Sequence, residues 1–223
     1  AFERGEGIGK GLNMDRINRN MRSSLKSVSM PDGPGCQKTV LNNGIKVITE
    51  EIPYLKSVSI GIWVTTGSRD EQPHENGISH LIEHLLFKGT ERRTALDIAK
   101  EIDSVGGTLN AFTGREYTCF YAKVIHKNLS LAIDLLSDIF LHSLMDEKDV
   151  EKERMVILQE IKMVEDTPDD YVHDLFNRTC WGDHPLGFPI CGTEERVKSF
   201  SRDQIEQFFR THYQSDRIIV CAA

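Results

Sequence analysis

The residues best equipped for chemistry in this chain are His80-Leu81-Ile82-Glu83-His84. Their neighbours Ile78, Leu85, Leu86 and Phe87 are apolar, so the segment reads as a helix, where positions four apart lie one turn above each other. Two imidazoles on that face can close on one divalent ion, with Glu83 one position off the pair. Neutral imidazole nitrogen binds zinc at about 2.0–2.1 Å, and a carboxylate that is near the metal without ligating it can take a proton from water. The plain alternative is a surface helix carrying two histidines.

A second acidic position strengthens the metal reading. Glu160 has Val156, Ile157, Ile161 and Val164 at i−4, i−3, i+1 and i+4, so its carboxylate projects from an apolar stripe. An ionised carboxylate there must be paired or must coordinate a metal. Glu153, two turns earlier on the same face, brings a second carboxylate close. Salt bridges to Arg or Lys are the alternative for both. Three protein ligands with an open fourth position is the arrangement of a catalytic zinc, whereas structural zinc sites are closed and rich in cysteine.

The elements that must position these groups follow from periodicity. Thr39–Leu41 and Lys46–Thr49 flank Asn42-Asn43-Gly44, which predicts a hairpin. Val58–Thr66, Tyr117–Val124 and Arg217–Cys221 read as further strands. Helices are expected over Gly77–Phe87, Thr94–Val105, Leu129–Ser143, Glu147–Glu165, Asp169–Cys180 and Arg202–His212. Thr94 with Asp97, and Ser201 with Gln204, are cap signals, and Gly106-Gly107 stops the second helix. The pattern predicts an α+β fold, a mostly antiparallel sheet with helices packed on one face.

Residues 1–35 stand apart. They are Gly-rich, then basic and polar, and close with Pro31, Gly33, Pro34 and Gly35, so they read as a flexible leader or added segment ahead of one domain over 36–223. The chain of 223 residues carries 27 Lys plus Arg against 34 acids, a formal charge of −7. That sign argues against a nucleic-acid partner. The most apolar stretches, Val58–Val64 and Ile218–Ala223, fall short of the roughly 20 residues that span a bilayer, so no membrane partner is expected. Five cysteines without a C-x-x-C pair favour reduced thiols in a bacterial cytoplasm or a mitochondrial matrix. The remaining histidines, at 74, 126, 142, 173, 184 and 212, lack metal-like spacing.

In several ordered motifs the sequence resembles the pitrilysin, insulinase and mitochondrial-processing-peptidase family of zinc metalloendopeptidases, especially its processing-peptidase branch. The motifs are Gly67-Ser68-Arg69, Asn76–Ser79, His80–Thr90, Gly106–Thr113, Glu153–Glu160 with Glu160 76 residues after His84, Gly182–Gly187 and Ile190–Glu195. The resemblance implies that His80, His84 and Glu160 bind Zn2+, that Glu83 is the general base, and that Glu153 is a supporting carboxylate in the catalytic centre. It further implies that Leu109, Asn110, Ala111, Phe112 and Thr113 form an edge strand that binds an extended peptide or unfolded protein by strand addition. Asn110 is the first choice for a side-chain contact with substrate, although it and Glu116 could equally serve only to tie down local backbone.

Relatives of this kind have two similar halves, the second contributing an Arg and a Tyr. This chain is accordingly read as the N-terminal zinc-binding half, which requires a C-terminal half or partner subunit, a second copy of itself included. The rival expectation is a non-catalytic structural or peptide-binding subunit of the same family.

Overall fold

The computed structural model describes residues 26–29 and 35–223. Its strands are β1 (Lys26–Ser29), β2 (Cys36–Val40), β3 (Lys46–Glu50), β4 (Ser57–Val64), β5 (Thr108–Thr113), β6 (Thr118–Ile125) and β7 (Ile218–Ala222). Its helices are α1 (Ile78–Leu86), α2 (Ala95–Ser104), α3 (Leu129–His142), α4 (Glu147–Asp166), α5 (Pro168–Trp181), α6 (Glu194–Ser199) and α7 (Arg202–His212). Most of the leader expected over 1–35 lies outside the described residues; residues 26–29 within it pair antiparallel with β2.

The strands form one sheet in the order β1-β2-β3-β7-β4-β6-β5. All neighbours are antiparallel except β3 and β7, which run parallel, so the expected mostly antiparallel α+β architecture is what forms. β4 and β6 are interior strands that carry much of the core, and β4 shows why. Ile60, Ile62 and Val64 alternate to one face and are buried, as are Phe120, Ala122 and Val124 of β6 beside them. α1 and α3 cover that face, α4 packs on α1, and α5 lies outside α4. Among the described residues no helix covers the opposite face, where Trp63, Phe112, Tyr117 and Tyr121 gather at ring separations of 5.3–6.2 Å.

Local signals set most boundaries. The Asn42–Gly44 turn closes the β2–β3 hairpin, with Gly44 at φ 93°. Thr94 and Asp97 form the reciprocal cap of α2, and Ser201 and Gln204 that of α7. At the end of α2, the Gly107 N–H bonds Ile102 O and the Gly106 N–H bonds Asp103 O, with Gly106 left-handed at φ 64°. β6 starts at Thr118 instead of Tyr117, because the Tyr117 carbonyl accepts from Gly114 N to close the β5–β6 turn. α6 was not anticipated; its signal is Thr193, whose hydroxyl accepts from Arg196 N ahead of Glu194 and Glu195. α5 has an apolar stripe, but Val172, Leu175 and Phe176 stay more than half exposed.

Candidate metal centre

α1 is held deep in the molecule. Ile78, Leu81, Ile82, Leu85 and Leu86 are all at most 1% exposed, which leaves His80, Glu83 and His84 to face the cleft against α4 and β5. Its start is fastened by Glu71, a buried carboxylate absent from the expected site. Glu71 accepts from the main-chain N–H groups of Gly77 (2.9 Å) and Ser79 (2.9 Å) and from Asn76 Nδ2 (3.2 Å). It thus satisfies donors that a helix N-terminus cannot pair internally. Gly77 is left-handed at φ 97°, and a Cβ there would meet Cys191 O at 2.8 Å, so only glycine allows the 189–192 turn to seat against the helix.

His80, His84 and Glu160 converge, each offering one ligand atom, all within 4.8 Å of one another. His80 Nε2 lies 3.7 Å and His84 Nε2 3.6 Å from Glu160 Oε2. These separations are too long for hydrogen bonds. They suit donors around a shared cation, because tetrahedral ligation at 2.0–2.2 Å sets donor atoms roughly 3.3–3.6 Å apart. The residues therefore fit a zinc ion, and among the described residues they are the group of three that does so. Burial, and secondarily the charge of His84, pushes the His80 pKa down to about 4, so its imidazole is neutral with a lone pair at neutral pH.

Glu153 reaches the same site from one layer back. Its Oε2 lies 3.1 Å from His84 Nδ1, and its Oε1 pairs with Lys88 Nζ at 2.8 Å. A carboxylate accepting from Nδ1–H leaves Nε2 as the lone-pair nitrogen, aimed at Glu160. Glu83 does not join the three ligand atoms. Its Oε2 accepts from the Thr113 hydroxyl at 2.5 Å. Burial raises the Glu83 pKa above the ordinary carboxylate value, a shift opposed by the Thr113 hydroxyl and the charge of His84.

The five residues of the expected peptide strand divide by face. Leu109, Ala111 and Thr113 are half-buried toward the helices, whereas Asn110 and Phe112 are exposed. β5 is the last strand of the sheet and pairs only with β6. The Asn110 side chain turns back, its Oδ1 accepting from Ala111 N at 2.8 Å, and Glu116 pairs with Arg69. Thr113, expected only as part of the strand, touches Glu83.

Three further residues of the site were not read from the sequence: Glu71, Lys88 and Cys191. The spacing of Glu71 from the helix it caps is irregular, and Lys88 is paired only through tertiary contact. Cys191 is half-buried beside the cleft; burial, with Glu160, Asp174 and Glu83 nearby, pushes its thiol up to about 12, so it stays protonated. All five cysteines are free.

Known proteins resemble this chain over most of its length. The profile of a family described as insulinase (peptidase family M16) matches residues 46–194. An uncharacterized zinc protease of Bacillus subtilis is 48% identical over 181 residues, which are 81% of this chain and 44% of the relative. A protein of Arabidopsis thaliana named "Probable mitochondrial-processing peptidase subunit beta, mitochondrial" is 40% identical over 190 residues, 85% of this chain and 36% of the relative. The crystal structure of a protease from Helicobacter pylori superposes with a TM-score of 0.81 at 25% identity, covering 85% of this chain and 46% of that one. The chain thus spans less than half the length of these relatives.

Proposed function

The chain belongs to the insulinase family, peptidase family M16, and from that premise we propose that it is the zinc-binding half of a metalloendopeptidase that hydrolyses peptide bonds in extended peptides. The observation carrying this reading is the convergence of His80, His84 and Glu160 with the non-ligating Glu83 beside them. A zinc ion held there supplies Lewis acidity toward a scissile carbonyl and toward the attacking water.

The chain's own side chains do the rest. Glu153 and Lys88 lock the His84 ring so that Nε2 faces inward. Glu83 takes the proton from the attacking water and passes it to the leaving amide nitrogen. Burial favours this role, because a carboxylate raised above its ordinary pKa is the stronger base and, once protonated, a competent acid.

The substrate adds to the free edge of β5, with main-chain groups of Leu109–Thr113 pairing to it. Asn110 Oδ1, now on the Ala111 N–H, stands where the carbonyl of such a strand would bond and must swing aside. The remaining half, or a partner subunit, closes the cleft from the other side, and turnover belongs to that complete assembly. Free thiols throughout fit a reducing compartment such as a bacterial cytoplasm.

The test is E83Q in the full-length protein. Peptide cleavage falls by at least about 10²-fold while zinc stays at wild-type content, whereas H84A loses the metal. An E83Q protein that still cleaves would remove Glu83 from this role.

A further inference from the structure

The edge strand and the base share a residue. β5 presents Leu109, Ala111 and Thr113 toward α1, and Thr113 is its last position, opposite Thr118 of β6. The turn that follows is fixed from behind. Ser68 N donates to Gly114 O at 3.2 Å and Arg69 N to Arg115 O at 2.8 Å, so the chain just beyond Thr113 is tied to the segment between β4 and α1. β-branching further limits the side-chain rotamers of Thr113. Its hydroxyl has one proton, and the bond to Glu83 Oε2, at 2.5 Å, uses it. That length is usual for a hydroxyl on an ionised carboxylate.

Resting on the peptidase reading, we propose that Thr113 is a positioning residue for Glu83: its hydroxyl occupies Oε2 and so presents Oε1 as the oxygen that accepts the proton. A carboxylate side chain with three rotatable bonds at the mouth of a cleft otherwise samples several orientations, and a misplacement of about 1 Å costs about 10²-fold in rate. Because Thr113 also belongs to the strand on which the peptide is laid, one residue registers both the substrate and the base. An extended peptide that seats along β5 reaches Glu83 with the carboxylate already turned. Apart from the main-chain N–H of Thr113 itself, which T113V and T113S both keep, the other contacts in the cleft do not duplicate this, since Lys88 and Glu153 act on His84 and Glu71 acts on the helix backbone.

The test compares T113V, which keeps the shape and loses the hydroxyl, with T113S, which keeps the hydroxyl. In the full-length protein, T113V lowers kcat by about 10- to 100-fold with KM, zinc content and melting midpoint near wild type, and T113S stays within about threefold. A merely structural role would move the melting midpoint or the zinc content instead.

A second readout does not depend on turnover. In the metal-free protein, the infrared difference between wild type and E83Q locates the Glu83 carboxylate stretch, which shifts in T113V and not in T113S. If T113V leaves both kcat and that band unchanged, the inference is overturned. If the wild-type protein cleaves no peptide, the peptidase reading fails while the infrared comparison still decides the role of Thr113.

Discussion

Glu71 and Asp138 are both shielded from solvent, at 1% and 0% exposure, and both fasten the chain next to α1, one before it and one after. Glu71 receives only neutral donors: two main-chain N–H groups and the Asn76 amide. Burial therefore prevails over those bonds and pushes its pKa up to about 7. Asp138 anchors the 90–93 loop through Thr90 (2.8 Å), Arg92 (2.9 Å) and Arg93 (2.7 Å), with His142 at 3.2 Å. Burial would raise its pKa too, but the Arg93 guanidinium, the Thr90 hydroxyl and Arg92 together hold it well below the usual carboxylate range. At Glu71 the dipoles offset only part of the effect of burial on the carboxylate, whereas at Asp138 the guanidinium groups and the Thr90 hydroxyl more than offset it. The anchor before α1 is thus sensitive to pH near neutrality, and the anchor after it is not.

Removing the charge at the insensitive anchor has the largest expected effect. D138N leaves the largely buried Arg93 facing a neutral amide, and breaking a buried pair of this kind costs about 3–5 kcal/mol, to which the half-exposed Arg92 adds little. Urea unfolding of the metal-free chain measures it. A loss below about 1 kcal/mol would mean that Asp134 and Glu101, which also pair with Arg93, carry the anchor without Asp138.

The sensitive anchor gives a smaller effect with a definite sign. A carboxyl whose folded pKa lies above its unfolded value of 4.5 binds protons more tightly when folded. Its stabilisation is therefore fully present below about 4.5 and is lost as pH rises through about 7, amounting to at most ~3 kcal/mol. His80 acts in the opposite sense between about 4 and 6.5, since its depressed pKa makes acid destabilising. The difference in unfolding free energy between wild type and E71Q cancels the His80 contribution. It should change steadily in favour of E71Q from pH 4.5 to 7.5, and a flat difference would show that Glu71 stays ionised in the fold.

These contrasts also mark what the sequence could reveal. His80, Glu83 and His84 are legible because one helix fixes their spacing, and Glu160 because its apolar neighbours make an unpaired carboxylate costly. The caps at Thr94 and Ser201 are local, and they appear where expected. Glu71 was not legible. It meets α1 through an irregular stretch, and nothing in residues 71–77 distinguishes a buried acceptor of backbone N–H groups from a surface acid. Asp138 looks like an ordinary helix-surface acid until Arg92 and Arg93 fold over it. The Thr113–Glu83 bond joins a strand to a helix 30 residues earlier, a pairing that no local period encodes.

Lys88 offers the finest test, because it links the charged side of the comparison to the metal. It follows α1 directly, and its ammonium, 35% exposed, pairs with Glu153, whose carboxylate is 7% exposed and reaches His84. E153Q replaces the anionic acceptor at His84 Nδ1 by a neutral amide, whose NH2 group can also bond a lone pair on Nδ1, so it weakens zinc binding by up to about 100-fold. K88M keeps the carboxylate and removes only the partner that steadies it, so its loss should be smaller, about 10-fold. Competition against a chromophoric chelator measures both. If K88M weakened zinc as much as E153Q, the carboxylate would need its ion pair to stay in place, and this corner of the site would depend on charge pairing as completely as Asp138 does. If K88M had no effect, His84 alone would hold Glu153, and the ion pair would be a surface contact of little consequence.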